Sequence, residues 1–160
     1  MKGTTHILGG IAAAVIWQKY FNIPIQDPIY FYSAAIVGSI IPDICHPKSI
    51  IGRRVPILSR AFSKIFGHRS LSHSLLFMVL LYLLFQQLTF YGATSIEIGL
   101  LVGVGSHILL DAMTVQGVKF LYPINMKIRL PLYVRTGSLI GETLVAMSLL
   151  TLMVLSLFLF

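Results

Sequence analysis

The chain has 160 residues, of which 56% are hydrophobic and only 11% charged, whereas an ordinary soluble domain carries about 25% charged residues. That balance excludes a soluble globular domain and makes the bilayer the solvent to reason from. The formal net charge of +7 lies beside apolar runs, where anionic lipid is a nearer partner than nucleic acid, and a single cysteine, Cys45, excludes an internal disulfide.

In chain order, five stretches approach the ~20 apolar residues that cross a membrane: Thr5 to Phe21, Pro28 to Ile41, Leu71 to Phe90, Ile96 to Met113 and Leu139 to Phe160. The first apolar run, Ile7 to Trp17, leads into Gln18, Lys19 and Tyr20 rather than a small-residue cleavage site, so it is expected to stay as a first helix. The first two stretches are short, which puts their polar ends in the interfacial zone or under cover of other parts of the chain. Between the second and third, His46 to Arg69 carries Lys48, Arg53, Arg54, Arg60, Lys64 and Arg69 among apolar residues such as Ile57, Leu58, Phe62 and Ile65. That mixture suits an amphipathic segment on anionic headgroups; a solvated basic loop is the alternative. Between the fourth and fifth, Val115 to Ser138 contains Pro123, Pro131 and a β-prone piece from Val118 to Tyr122, which predicts a short hairpin or irregular cap. No repeat or linker interrupts the chain, so residues 1–160 read as one all-α membrane domain of about five helices.

Lys and Arg concentrate on the cytoplasmic side of membrane proteins. With five spans, the amino terminus and both basic connections share that side, and the opposite loops hold little beyond Lys19. The scarce polar residues follow the same division. His6 begins the first stretch, Asp43 and His46 end the second, His68 and His73 begin the third, His107 and Asp111 lie late in the fourth, and Glu142 begins the fifth. Ionisable groups in membrane helices are costly enough to mark function, and these eight fall toward the cytoplasmic face.

The i,i+4 spacing of His107 and Asp111 puts imidazole and carboxylate on one helical face, where both can ligate one cation or adjacent cations. Simple mutual hydrogen bonding is the competing reading for that pair. Gly99 and Gly103 continue the face and allow another helix to pack closely. His6, read alone, suits an interfacial position; Asp43 and His46 present two possible ligands at a helix end; the serines around His68 and His73 can cap a helix. Mixed imidazole and carboxylate donors suit zinc or manganese better than magnesium. Three carboxylates, Asp43, Asp111 and Glu142, are costly to desolvate unless cations neutralise them, and the donor set has room for one to three ions. A metal centre of this kind activates water near neutral pH and clamps a phosphoryl group.

These residues also carry a resemblance. Thr5-His6 followed by Gly9, Gly38-Ser39-Ile40-Ile41-Pro42-Asp43 with His46-Pro47-Lys48-Ser49, Gly67-His68-Arg69-Ser70-Leu71-Ser72-His73-Ser74, Gly105-Ser106-His107 through Asp111 to Thr114 and Gly117, and Arg135-Thr136-Gly137-Ser138 resemble the YdjM-like bacterial membrane proteins, a family of membrane-bound metal-dependent hydrolases. The order is similar, more distantly, to the zinc-dependent phospholipase C fold, where His, Asp, His and a His-x-x-x-Asp pair bind a zinc cluster. The resemblance implies ligand roles for His6, Asp43, His73, His107 and Asp111, with His68 and Glu142 as further candidates. Cys45 stands where the family pattern has aspartate, and Ser138 where the phospholipase pattern has histidine; Cys45 is either a thiolate ligand or a small buried residue.

Arg69 and Arg135 flank the expected site, and Arg135 immediately precedes the last helix, whose amino-terminal amides attract anions. Either they hold a substrate phosphate or they anchor helices at headgroup level. The expected activity is hydrolysis of a phosphoester, such as a phospholipid at the cytoplasmic face of a bacterial cell membrane. Asp43 would orient or deprotonate water, and Arg69 and Arg135 would hold the phosphate. A metal-binding or transport protein without enzymatic activity is the alternative, but a transporter places its ligands near the bilayer midplane. A serine hydrolase built on Ser72 or Ser74 lacks the Gly-x-Ser-x-Gly elbow.

Overall fold

The computed structural model describes residues 1–21, 23–66 and 70–158. Six α-helices run in the order α1 Gly3–Tyr20, α2 Pro28–Gly38, α3 Pro56–Phe66, α4 Leu75–Phe85, α5 Ala93–Ala112 and α6 Leu139–Phe158. Short 3-10 turns, Ile41–Cys45 and Leu71–His73, follow α2 and precede α4. The described residues contain no β-strand. The helix beyond the expected five is α3, which forms inside the basic connection.

Local chemistry sets the helix ends. Asp27 caps α2 by accepting hydrogen bonds from the N–H groups of Ile29 at 2.8 Å and Tyr30 at 3.3 Å, and Pro28 occupies the first helical position, where its missing N–H costs nothing. Gly92, at φ +84°, supplies the left-handed residue from which α5 starts at Ala93. That places the start three residues before the Ile96 expected from hydropathy.

Among the described residues, three helical segments are by length and composition apolar enough to cross a membrane alone: Pro28–Cys45, Ala93–Ala112 and Leu139–Phe158. The other two expected stretches fall short of that measure. Helix α1 has 18 residues, but Thr4, Thr5, His6, Gln18 and Lys19 make it too polar. The stretch Leu71 to Phe90 is broken at its start, where the Ser74 hydroxyl donates to the Leu71 carbonyl at 2.6 Å and accepts from the Phe77 N–H at 3.3 Å. What remains, α4, has 11 residues, or about 16 Å of helix, roughly half a hydrocarbon core of ~30 Å.

Helix α5 is the axis of the molecule. Its glycines let α2 approach at backbone distance: a Cβ at Gly99 would stand 2.3 Å from the Phe31 carbonyl oxygen, and one at Gly103 would stand 2.2 Å from that of Ala35. Any side chain at either position would force the helices apart. Helix α1 packs against both α5 and α6, while α4 and α6 turn large apolar side chains such as Leu83, Leu84, Leu144 and Leu152 outward. In α3, Ile57, Leu58 and Ile65 are exposed on one face, with Arg60 and Lys64 beside them and Ser59 buried beneath.

The connection from α5 to α6 has no regular strand. It folds back through one antiparallel bridge, Val118 with Ile128, and one parallel bridge, Thr114 with Val134. The N–H groups of Leu130 and Val134 donate to the carbonyls of Ala112 and Met113, each at 2.9 Å. Val118 is buried in a cluster with Val104, Ile108 and Ala112, and Phe120 and Leu130 pack on it. The connection thereby seals the end of α5 that carries His107 and Asp111.

Candidate metal centre

Four separate elements deliver polar side chains to one end of the bundle. Helix α1 brings His6, the turn after α2 brings Asp43, the turn before α4 brings His73, and the last turns of α5 bring His107 and Asp111. Two groups of three could each hold an ion: His6 with His107 and Asp111, and Asp43 with His73 and His107. His6, His73, His107 and Asp111 are buried, and the Asp43 side chain keeps 18% exposure.

Hydrogen bonds orient the rings. His107 Nδ1 lies 2.6 Å from the Ser39 carbonyl oxygen; a carbonyl can only accept, so Nδ1 carries the hydrogen and Nε2 presents its lone pair. That Nε2 faces His73 Nε2 at 3.2 Å, while His73 Nδ1 is 3.0 Å from the Ser72 hydroxyl. The His6 ring stacks on His107, with centroids 3.8 Å apart. His6 Nε2 is 3.3 Å from Asp111 Oδ1, and His73 Nε2 is 3.4 Å from Asp111 Oδ2. Asp43 Oδ1 stands 3.9 Å from Nε2 of both His73 and His107. The amino group of Met1 donates to Asp111 Oδ1 at 2.8 Å.

The reading of His107 and Asp111 as a pair that merely satisfies itself does not match this geometry. Their closest approach is 3.9 Å, too long for a hydrogen bond. The donor set also suits a cation by its spacing: ligands about 2.0–2.1 Å from a tetrahedral zinc are separated by about 3.3–3.4 Å, close to the three shortest contacts among the imidazoles and Asp111, 3.2, 3.3 and 3.4 Å. His6 Nδ1 is buried without a hydrogen-bond partner and His6 Nε2 has only its contact with Asp111, and an unsatisfied buried polar atom costs about 1–3 kcal/mol. A cation coordinated by His6 removes part of that cost.

The other expected residues are placed differently. Glu142 is buried at the start of α6 and accepts hydrogen bonds from the Thr5 hydroxyl at 2.8 Å, the Lys2 N–H at 3.1 Å and the Gly137 N–H at 2.7 Å. It therefore fastens α6 and its preceding loop to the start of α1, one residue from His6, and stands outside both donor groups. His46 closes the turn that holds Asp43, its N–H donating to the Asp43 carbonyl at 2.9 Å; it too belongs to neither group. Arg135 is exposed in the loop before α6. His68 and Arg69 lie outside the described residues. Cys45 is buried, its thiol donates to the Pro42 carbonyl at 3.4 Å, and its side chain also hydrogen-bonds to His73, a member of the second donor group.

Sequence reasoning did not find Ser39, whose carbonyl fixes the His107 tautomer from another helix. It weighed Ser72 as a possible helix cap or nucleophile, and its position next to His73 was a signal for the imidazole contact.

Comparison with known proteins agrees with the membrane assignment. The chain is 44% identical over 146 residues to "Uncharacterized protein YvsG" of Bacillus subtilis (strain 168), covering 91% of this chain and 88% of that protein. It is 36% identical over 141 residues to "Inner membrane protein YdjM" of Escherichia coli (strain K12), covering 84% of this chain and 71% of that one. No solved structure matches the chain. The YdjM inner membrane protein family matches residues 1–160, and the chain belongs to that family.

Proposed function

We propose that the protein is a metal-dependent hydrolase of the bacterial inner membrane that cleaves a phosphoester at the cytoplasmic face. The observation that carries this reading is the convergence of His6, Asp43, His73, His107 and Asp111 from four elements, at spacings suited to one cation. His107 has one lone-pair nitrogen to give, so the two donor groups that share it act around a single ion, with zinc the best match and manganese the second. Such an ion supplies Lewis acidity and lowers the pKa of water toward neutrality.

The protein's own groups divide the remaining work. Asp43 is the least buried donor and the farthest from the histidines, so it orients the attacking water and takes its proton. The water oxygen replaces the ester oxygen on phosphorus, and the proton passes to the departing alcohol. Arg135, with Arg69, holds the phosphate; the guanidinium fork suits two of its oxygens. The seven cationic charges in excess suit a substrate among anionic lipids.

Elemental analysis of the purified protein, joined to a screen for released lipid products, tests the reading. One zinc or manganese ion per chain and a phosphorylated product are expected. A metal-loaded protein that releases nothing would leave a metal-binding or transport role, and a metal-free protein would remove both. Cysteine labelling in intact cells, after replacement of Cys45, tests the orientation: Lys64→Cys should be protected and Thr94→Cys reactive from outside.

A further inference from the structure

On the side of α5 turned away from His107 and Asp111, an apolar cleft of about 680 Å³ opens between α1, α4 and α5. It extends along α5 from Glu97 to Leu109, 12 residues and therefore about 18 Å. Trp17 and Met78 form its walls on α1 and α4. Because α5 is one of the segments able to span the membrane, the medium around this cleft is hydrocarbon. Water gains nothing there, and an empty groove forfeits the dispersion contacts of its lining.

Gly105 marks the cleft as more than a packing fault. A glycine inside a helix costs about 1 kcal/mol relative to alanine. At Gly99 and Gly103 the backbone of α2 explains it. At Gly105 a Cβ would meet only the Met78 terminal methyl, at an ordinary 3.6 Å. No protein backbone needs the space that this glycine leaves.

We propose that the cleft is a binding site for one acyl chain of a membrane lipid. Its length matches about fourteen carbons of an extended chain at ~1.25 Å per carbon, and its lining is almost wholly apolar. A helix from a second copy is the competing occupant, and cross-linking distinguishes it. The site is independent of hydrolytic activity, since it lies across α5 from the metal centre.

Protein purified in mild detergent should retain a phospholipid in stoichiometric amount, measured by mass spectrometry of the extracted lipids. Gly105→Phe should lose it, and Gly105→Leu should lose it or select shorter chains. Leu144→Phe, on the exposed face of α6, should retain the wild-type amount. Metal content measured on the same samples reports folding separately, and Gly105→Val, a smaller intrusion into the cleft, should retain less lipid than wild type if the larger variants do not fold. Equal lipid retention in wild type and the Gly105 variants would overturn the site, as would a dimer cross-linked through Gly105→Cys.

Discussion

Helices α5 and α6 have the same length and similar hydropathy, yet 67% of the α5 segment is buried inside the protein against 11% of α6. The difference is in their small and polar residues. Gly99, Gly103, His107 and Asp111 line one face of α5 and draw in α2 and α1, while α6 is apolar around most of its circumference and buries chiefly Glu142, Val145 and Ser156. In a bilayer, hydrophobicity does not say which helix is central, because lipid is as apolar as leucine. Glycine and ionisable residues mark the axis.

The largest effect expected from that contrast is at Gly103. Gly103→Leu drives a side chain into the Ala35 carbonyl, a backbone atom that cannot swing aside, and should destabilise the protein by about 1–3 kcal/mol or more. Gly105→Leu, two residues along the same helix, should be tolerated. Thermal unfolding in detergent compares them; equal midpoints would remove the backbone contact between α2 and α5 as a determinant of the fold.

Next come the metal donors on the buried face. His107→Ala and Asp111→Ala should each abolish stoichiometric metal while the chain remains inserted, because each removes a donor that no neighbour replaces. Full occupancy in both variants would return the pair to a structural role. A smaller effect is expected at Glu142, which touches α1 rather than the donors. Glu142→Gln keeps the volume but weakens three charge-assisted hydrogen bonds, so His6 is held less firmly; metal affinity should fall by about 10-fold with stoichiometry restored at high metal. Loss of stoichiometry at every concentration would make Glu142 a ligand.

Much of this was legible in the residues. The i,i+4 spacing of His107 and Asp111 and the glycines at 99 and 103 define a face by helical periodicity alone, while the basic connection was legible only as an amphipathic segment, with a solvated loop as the alternative, and not as the helix α3. The shortness of α4 could have been read from Ser74 and from Gln86-Gln87, which bound the apolar run, but the expected stretch from Leu71 to Phe90 counted across them; the Ser74 hydrogen bonds that start the helix are not a matter of hydropathy. The role of Glu142 was hidden for another reason: its partners, Lys2, Thr5 and Gly137, come from the far end of the chain and from a loop. The Ser39 carbonyl, being backbone, leaves no trace in residue type.

The smallest structural effect, and the sharpest functional one, is expected at Arg135. This residue is exposed, in contrast to the buried donors. Arg135→Ala should leave metal content and unfolding unchanged, since exposed substitutions usually stay within about 0.5 kcal/mol, while turnover of a phosphoester falls. Arg135→Lys separates two roles for the same charge. If the guanidinium grips phosphate through its two-pronged fork, lysine restores only part of the rate; if it only anchors α6 at headgroup level, lysine snorkels as well and restores all of it. Rates on the lipid identified by the product screen decide between them, and identical rates for the three proteins would take Arg135 out of the site while leaving the metal centre standing.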